Sequence, residues 1–445
     1  MSTAMNSVSV SATRRGILTR GAGAALAGSA ALLAASCGAP SETAPAASAQ
    51  PYKVVMGNKF GGTGNTQPER MDWMEKSNAE FNRVFGPKLT VDHVVLVGTD
   101  ALVAVLAAGT GPDVAHASGS FFSDLADKGQ WTEIGQYVKR DKIDMNKWYL
   151  QEEVIIRKGK QYGFPFWQAA GTYYYNKNLF NKYGVKPPDD INWTWNEMLE
   201  AAQKLTRPNE TWGLQISYGF EFAWINFLRS AGENWINKEK TKTTLNTTGA
   251  IETFQWLTDL VLKHKVMAPP GDTTLGTGNL WQLGKVGIML GGNGGIGSTQ
   301  AAKVDFDWDL FVTPKHPKTG KRGISANDNT FVATKDTKNP EAAYKLALFY
   351  GDTFSDGLVG KNRINMPALK QAQNDPNGWL AKPPSNIAAT LEAMKHASGL
   401  DFHLNWDQWN TEITKPLVMA FQGQLGVKDA CDKASQIGDS LLKGA

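Results

Sequence analysis

The chain has 445 residues, and 46 Lys and Arg against 42 Asp and Glu give it a formal net charge of +4. Acidic and basic residues are mixed along the chain without a basic stripe, which argues against a nucleic-acid partner and against binding to an anionic membrane surface. The sequence holds only two cysteines, Cys37 and Cys431, so we expect no disulfide within the folded part.

The N-terminal leader predicts export. Arg14 and Arg15 precede an Ala- and Gly-rich apolar run that is too short and too weakly apolar to span a membrane as a stable helix. The paired arginines favour the twin-arginine route. The run ends in small residues at Cys37, where the sequence resembles a lipobox, with Ala34 at the place where leucine is usual. We therefore expect a signal peptide followed by lipidation of Cys37, with cleavage near Ala49 as the alternative.

The chain after Cys37 is expected to be water-soluble, because no later stretch is long and apolar enough for a transmembrane helix. Residues 38–51 are small and polar, which predicts a flexible tether with a reach of roughly 20 Å. A lipid anchor would be the only membrane contact. The protein would then work at the outer face of the cytoplasmic membrane or in the periplasm.

The first part of the folded chain alternates between strand-like and helix-like segments. In chain order these are a strand at 52–56, a glycine-rich turn at 60–65, a helix carrying Met71, Met74, Phe81 and Phe85, a strand at 89–97, a helix at 99–108 and a strand at 113–117. Such alternation predicts a parallel sheet covered by helices.

Later helices carry clear terminal signals. Thr194 and Glu197 form a capping-box pattern, and Pro340 is placed for the first turn of another helix. Apolar residues at helical spacing over 251–261 predict an amphipathic helix. Cys431 is expected to be a small apolar residue on a C-terminal helix.

Residues 292–297 match the glycine fingerprint of dinucleotide-binding sites and follow a strand-like segment. The fingerprint requires a long helix and an acidic residue about 20 positions further on. Here the acidic residues come too early, at Asp305, Asp307 and Asp309. We interpret the segment as a flexible loop at a cleft, with a nucleotide-dependent oxidoreductase as the alternative.

The same three aspartates imitate the start of a calcium loop. Leu310 stands at the required glycine position and His316 at the position of the bidentate glutamate. The alternation of aspartate with apolar residues instead predicts an edge strand with one solvent-exposed face. The six histidines show no metal-ligand spacing, so neither a metal nor a cofactor is expected.

Fifteen tryptophans are the most distinctive feature of the composition. Several stand beside polar residues in loop-like segments at 166–168, 218–224 and 405–409. Aromatic faces suit the C–H surfaces of pyranose rings, and Asp, Asn, Gln and Arg side chains suit the hydroxyl groups. Core packing is the alternative for any single tryptophan, and it is the assignment for Trp131, Trp212 and Trp281.

Seven short segments resemble, in order, those of one family. They lie at 107–114, 162–165 with 174–180, 194–197, 283–289, 308–314 and 365–368. In these segments the chain is similar to extracellular solute-binding proteins of family 1, the maltose-binding-like receptors that deliver sugars to ABC importers. The resemblance covers nearly all of the chain after the tether.

The resemblance implies an α/β architecture, the two-lobed type II fold of periplasmic binding proteins. Each lobe would be a sheet flanked by helices, with three crossovers near residues 166–172, 325–329 and 364–367. Lobe one would comprise 52–166 and 329–365, and lobe two 167–328 and 366–445. The implied partners are a carbohydrate ligand and the transmembrane subunits of an ABC permease, and we expect a monomer without catalytic activity.

Ligand contacts in this family come from loops and crossovers around the cleft between the lobes. Carried onto this sequence, the resemblance implies contacts from Gly62, Thr63, Asn65, Ser118, Ser120, Trp167, Gln168, Phe222, Trp224, Gly292, Asn293, Asn327, Asp328, Arg363, Trp406 and Trp409.

The sequence departs from the maltose-binding members at two places. Gly295 and Ile296 stand where those members carry a stacking tryptophan, and Ala169 stands where an acidic contact is expected. A mono- or oligosaccharide other than maltodextrin is therefore the expected ligand.

An exported carbohydrate hydrolase is the competing hypothesis. Glu221 with either Asp328 or Asp407 would supply the pair of carboxylates, which must lie about 5–10 Å apart across the glycosidic bond.

Overall fold

The computed structural model describes residues 51–58, 68–96, 98–149, 152–218, 221–401 and 406–443. They belong to one compact unit, Ala49–Ala445. The predicted leader, Cys37, most of the tether and the glycine-rich turn at 60–65 lie outside the described residues.

The strands are β1 (Tyr52–Asn58), β2 (Leu89–Val95), β3 (Val114–Ser118), β4 (Ile156–Arg157), β5 (Lys160–Gln161), β6 (Gly163–Asn176), β7 (Trp212–Gln215), β8 (Val286–Gly292), β9 (Trp308–Phe311), β10 (Ile324–Ala333), β11 (Met366–Pro367) and β12 (Ala397–Gly399).

The helices are α1 (Pro68–Phe85), α2 (Gly98–Ala107), α3 (Gly119–Asp127), α4 (Gly135–Arg140), α5 (Glu152–Ile155), α6 (Lys177–Lys182), α7 (Trp195–Leu205), α8 (Glu221–Ala231), α9 (Thr248–Leu262), α10 (Gly295–Ala301), α11 (Pro340–Tyr350), α12 (Thr353–Lys361), α13 (Lys370–Gln373), α14 (Ala389–Met394), α15 (Trp406–Phe421) and α16 (Val427–Lys443), with a 3-10 turn at Met145–Lys147.

One long strand, β6, joins the two halves of the main sheet. Along this sheet the strand order is β2-β1-β3-β10-β6-β8-β7. The N-terminal part of β6 pairs with β10, and its C-terminal part pairs with β8 and β9. The strands β1, β2 and β3 are parallel, as the alternation of segments predicted.

The predicted helix signals are confirmed. The side chains of Thr194 and Glu197 form the capping box at the start of α7. Pro340 is the first residue of α11, and α9 buries an apolar face that includes Phe254 and Leu257. Cys431 on α16 is fully buried, and burial raises the pKa of its thiol to about 12. A thiol of this kind is an inert core residue.

Separate apolar cores lie in the two halves of the sheet. Trp73 and Phe331 belong to the core beside α1 and α11, whereas Trp195, Leu228 and Cys431 belong to the core beneath α7, α8 and α16. In the parts of the chain that the structure describes, no helix is long and apolar enough to cross a bilayer.

The prediction of an edge strand around Asp309 is confirmed in part, because among the described strands β9 pairs with β6 alone, but the solvent-exposed face needs correction. β9 begins only at Trp308, and Asp309 is buried at 5% exposure instead of facing solvent. Its carboxylate accepts hydrogen bonds from the backbone N–H groups of Asn386, at 2.7 Å, and Leu310, at 3.0 Å. These donors replace water around the carboxylate, which is why the strand can turn this residue inward.

Candidate functional site

The three predicted crossover segments are neighbouring strands that meet at one residue. β10 runs antiparallel to β6 and pairs Asp328 with Gln168. β11 lies on the other side of β6 and pairs Met366 with the same Gln168. The central strand β6 is therefore in direct contact with both of the other connections between the halves of the molecule.

Successive residues of these strands point to opposite faces of the sheet, and directly opposed residues share a face. The register pairs Trp167 with Asn329, Gln168 with Asp328, Ala169 with Asn327 and Ala170 with Ala326. We call the side that carries Trp167, Ala169, Asn327 and Asn329 the front face, and the side that carries Gln168, Ala170, Ala326 and Asp328 the rear face.

On the front face, Trp167 is enclosed by other rings. Its ring centroid lies 5.4 Å from that of Trp73 and 6.4 Å from that of His116. The guanidinium carbon of Arg70 lies 5.6 Å from the ring centroid, and Trp167 is only 3% exposed. Burial lowers the pKa of Arg70, although the group stays charged at neutral pH.

The polar groups of the front face fix the end of β3 and the start of α3. Asn327 Oδ1 accepts a hydrogen bond from the backbone N–H of Gly119 at 3.2 Å. His116 Nε2 lies 3.0 Å from Asn329 Oδ1. Ser118 is paired with Asn329 across the sheet. The predicted contacts Ser118, Trp167 and Asn327 thus come together, and the backbone of Ser120 begins α3 beside them.

On the rear face, three buried side chains form a continuous polar chain. Gln168 Nε2 donates to Asp328 Oδ1 at 2.7 Å, and Gln373 Nε2 donates to Gln168 Oε1 at 2.9 Å. Gln373 Nε2 also donates to the backbone oxygen of Pro367 at 2.7 Å. Asp328 and Gln373 are 0% exposed and Gln168 is 1% exposed.

A cavity of about 940 Å³ opens beside the rear face. Its lining includes Tyr149, Gln168 and Ala326, and it continues past the end of α8 to the loop after β12. Arg229 lies in this wall, where its guanidinium donates to the backbone oxygen of Ser398 at 2.9 Å. The cavity therefore borders the crossover strands β6 and β10, on the side opposite to Trp167 and Asn327.

The tryptophans expected to stack on sugar are core residues instead. Trp224 is 2% exposed and packs near Phe254, with ring centroids 5.8 Å apart. Trp406 and Trp409 are 2% and 0% exposed and stack on each other at 5.3 Å. All fifteen tryptophans are buried or partly buried. Trp131 and Trp281 lie in the core as expected, whereas Trp212 is only partly buried. Because both ring faces are covered, we leave Trp224, Trp406 and Trp409 out of the proposed site.

The glycine loop packs against the third crossover. A Cβ on Gly297 would lie 2.3 Å from the backbone oxygen of Arg363, so the two segments are in close contact. The guanidinium of Arg363 donates to the backbone oxygens of Trp379 and Ala381, and burial lowers its pKa. Asn293 Oδ1 accepts from the N–H of Ala170 at 3.3 Å. The loop with Gly292 and Asn293 and the side chain of Arg363 therefore support the crossover strands through contacts with neighbouring backbone groups.

A family model of bacterial extracellular solute-binding proteins matches residues 65–352, which is more than half of the chain. The chain belongs to this family. The family expected from the sequence is thereby confirmed over the matched residues.

Curated relatives are distant. Binding proteins of Brucella abortus are 26% identical over 279 residues, and the match spans 59% of this chain and 64% of the relative, slightly less than two thirds. The sn-glycerol-3-phosphate-binding periplasmic protein of Rhizobium meliloti is 23% identical over 364 residues, 78% of this chain and 81% of the relative. The maltotriose-binding protein of Pyrococcus abyssi is 26% identical over 309 residues, 67% of this chain and 63% of the relative.

Solved structures confirm the two-lobed type II fold. An ABC substrate-binding protein of Listeria monocytogenes in complex with cycloalternan superimposes with a TM-score of 0.76 at 23% identity, covering 87% of this chain and 98% of that one. The maltose/maltodextrin-binding domain of Bdellovibrio bacteriovorus bound to maltotriose gives 0.70 at 17% identity, covering 88% and 100%.

Some expected contacts of this solute-binding protein fall outside the described residues or side chains. Gly62, Thr63 and Asn65 belong to the segment between β1 and α1 that is not described. The backbones of Phe222 and Glu221 begin α8, and that of Asp407 lies in α15. Of the carboxylates proposed for a hydrolase, Asp328 is fully buried and bonded to Gln168.

Sequence reasoning missed Asn329, Gln373 and Asn226, and it weighed His116 only as a metal ligand. Asn226 lies one helical turn after Phe222, and its Oδ1 accepts from the N–H of Ser325 at 2.7 Å. The helical spacing from Phe222 could have pointed to Asn226, whereas no pattern in the sequence points to Gln373. Within the described ranges, no group of three His, Cys, Asp or Glu side chains is placed to hold a metal ion.

Proposed function

We propose that this solute-binding protein is the extracytoplasmic receptor of an ABC importer, which binds a mono- or oligosaccharide between two lobes and delivers it to a membrane permease. The observation that carries the proposal is the contact of three crossover strands at Gln168 in a chain of this family. Such an arrangement suits a hinge, and hinge closure around a ligand is the signal that a permease can recognise.

We place the ligand on the front face. β1 and β3 are parallel neighbours, so their carboxyl ends meet at one edge of the sheet, where α3 also begins. Ligands of open α/β sheets bind in the crevice outside those carboxyl ends. Ser118, Ser120 and Asn327 surround this edge, and the segment after β1 starts there.

The rear face suits a ligand less well. The polar atoms of Gln168 and Asp328 are already bonded to each other and are fully buried. A hydroxyl group would have to displace these bonds, and it would leave a buried group unpaired. Gln168 and Asp328 are therefore proposed to support the site from behind the strands.

The carbohydrate class rests on the solved structures of similar proteins, which hold cycloalternan, maltotriose and tagatose as ligands. A phosphorylated polyol is the second candidate, because several relatives are named for sn-glycerol 3-phosphate. The partly buried Arg70 beside the front face would provide positive charge for such a ligand.

The cellular context completes the proposal. The export signal with its paired arginines, the lipidation of Cys37 and the tether up to residue 51 would hold a monomeric receptor near its permease. The proposed lobes are 52–166 with 329–365, and 167–328 with 366–445.

A thermal-shift screen tests the function directly. The purified protein is melted with mono- and oligosaccharides, with sn-glycerol 3-phosphate, and with NAD(P) as a control. A ligand at a hundred times its dissociation constant should add about 2.7 kcal/mol to the stability of the folded state. A shift with one carbohydrate series supports the proposal. Shifts only with sn-glycerol 3-phosphate would move the assignment to the second candidate, and shifts only with NAD(P) would contradict both.

A further inference from the structure

We infer that Gln373, Gln168 and Asp328 form a polar relay that couples the three crossover strands and sets the balance between the open and closed arrangements of the lobes. The inference rests on the proposed function, because a balance between open and closed lobes matters for a receptor that closes around its ligand. The three residues are positioning residues, and no ligand contact is assigned to them.

The direction of the relay is fixed by its carboxylate. Asp328 Oδ1 accepts a hydrogen bond, so Gln168 turns its amide nitrogen toward Asp328 and its amide oxygen toward Gln373. Gln373 must then use its amide nitrogen, which also reaches the backbone oxygen of Pro367. Each member therefore restricts the orientation of the next one.

Asp328 and Gln168 lie on two of the connections between the lobes, and Gln373 is bonded to the third through the backbone oxygen of Pro367. Asp328 is in β10, Gln168 is in β6, and Gln373 ends the short helix α13 that follows β11. A rotation of one lobe that shifts any of these strands changes at least one of the two side-chain bonds. Because the chain is buried, a broken bond leaves a polar group without water to replace its partner.

The surroundings leave room for such a change. The cavity of about 940 Å³ borders Gln168, and Tyr149 in its wall offers its backbone oxygen to Gln168 Nε2 at 3.3 Å. Gln373 Oε1 has no hydrogen-bond partner among the described residues. The relay thus has an unused acceptor and a neighbouring space, which allows an alternative pairing in the other lobe arrangement.

Exchanging the amide of Gln168 and the acid of Asp328 tests the relay. Gln168→Glu places a second carboxylate against Asp328, and we expect it to shift the ligand-free balance of lobe arrangements about tenfold, as strongly coupled neighbours do. Asp328→Asn should have a small effect, because asparagine still accepts a bond from Gln168. The double variant Gln168→Glu with Asp328→Asn rebuilds the donor and acceptor pair in reverse, and it should restore the wild-type balance.

The surface offers a matched control. Gln255 Nε2 donates to Asp259 Oδ1 at 2.7 Å, the same chemical contact as in the relay, but on the exposed side of α9. Gln255→Glu should leave the lobe balance unchanged. Gln373→Met, which removes the far end of the relay without adding charge, is the second variant should Gln168→Glu fail to fold, and it should shift the balance in the same direction.

The readout is the distance between spin labels in the two proposed lobes, measured in ligand-free protein by pulsed electron resonance. Labels carried by unnatural residues at Val84 in α1 and Leu262 in α9 are suitable, because these positions are 50% and 42% exposed. The expected result is an altered distribution in Gln168→Glu and a restored one in the double variant. An unchanged distribution in Gln168→Glu and Gln373→Met, or a double variant as altered as Gln168→Glu, would overturn the inference.

The measurement needs no ligand, so it stands apart from the proposed function. If no carbohydrate changes the wild-type distance while the exchange follows the expected pattern, the relay holds and the proposed function fails. If a carbohydrate changes the wild-type distance but the exchange does not follow the expected pattern, the receptor function holds and the relay fails.

Discussion

The front and rear faces of the crossover strands are built from alternate residues of the same two segments, yet they have different chemistry. The front face packs Trp167 among aromatic rings and uses Asn327 to hold the start of α3. The rear face carries a buried chain of amides that ends in Asp328. Trp167 and Gln168, which are adjacent in sequence and were both expected to contact sugar, therefore lie in different environments on opposite faces of β6.

The largest expected effect comes from removing the aromatic packing of the front face. Trp167→Ala deletes a ring that is 97% enclosed by Trp73, His116 and their neighbours, so we expect a loss of about 3–5 kcal/mol in folding stability. The check is chemical denaturation followed by fluorescence and circular dichroism. Trp308→Ala at a partly buried position is the control and should cost less. Equal losses in the two variants would mean that the front face is not specially packed.

A smaller loss of folding stability is expected at Gly171, where α8 covers the strand β6 that also carries Trp167. A Cβ on Gly171 would lie 2.3 Å from Asn226 Nδ2, and Asn226 is held by Ser325. Gly171→Ala should therefore cost about 1–3 kcal/mol through overpacking. With Asn226→Ala added, the loss should be smaller than the sum of the two single losses, because the clash disappears. Additive losses in calorimetric melting would contradict this contact.

The third prediction concerns pH and the segment that carries the rear relay. The buried carboxyl of Asp356 accepts from the N–H groups of Ala368 and Leu369, and burial raises its pKa well above the usual range, with Asp352 adding to the rise. A carboxyl with a raised pKa in the folded state binds its proton more tightly there than in the unfolded chain. Its contribution is therefore complete below the unfolded pKa of about 3.9 and is lost as pH rises through the folded value.

The variant Asp356→Asn tests whether the contribution of this carboxyl to folding stability falls as pH rises. The variant should lose about 1 kcal/mol near pH 4, because one of the two N–H acceptors is lost, and its deficit relative to the wild type should shrink as pH rises. Denaturation at a series of pH values measures the difference. A deficit that grows with pH would show that the carboxyl is ionised and stabilising in the folded protein.

Much of the fold could be predicted from the sequence because its signals are local. The alternation of segments around β1 to β3, the capping box at Thr194 and the proline that starts α11 each depend on neighbouring residues only. The crossover segments were located by resemblance to a family, and the strands β6, β10 and β11 do pass through them.

The site could be predicted only in part, because burial and side-chain contacts depend on the assembled sheet. Tryptophan beside polar residues was a signal for sugar binding, but Trp224 and Trp409 proved to be packed in the core. Asp309 likewise faces inward because distant backbone groups near Asn386 satisfy it. The relay partner Gln373 lies 205 residues from Gln168, and no local pattern joins the two.

Calorimetric titration of front-face and rear-face variants with the carbohydrate found in the screen decides which face of the crossover strands holds the ligand. Asn327→Ala should weaken binding about tenfold through loss of a polar contact. It should also cost about 1 kcal/mol in folding stability, because the backbone N–H of Gly119 loses its acceptor. Asn377→Ala, an exposed asparagine, is its control, and the exchanged pair Gln168→Glu with Asp328→Asn should bind as the wild type does. Normal binding by Asn327→Ala together with lost binding in the exchanged pair would place the ligand on the rear face and contradict the account.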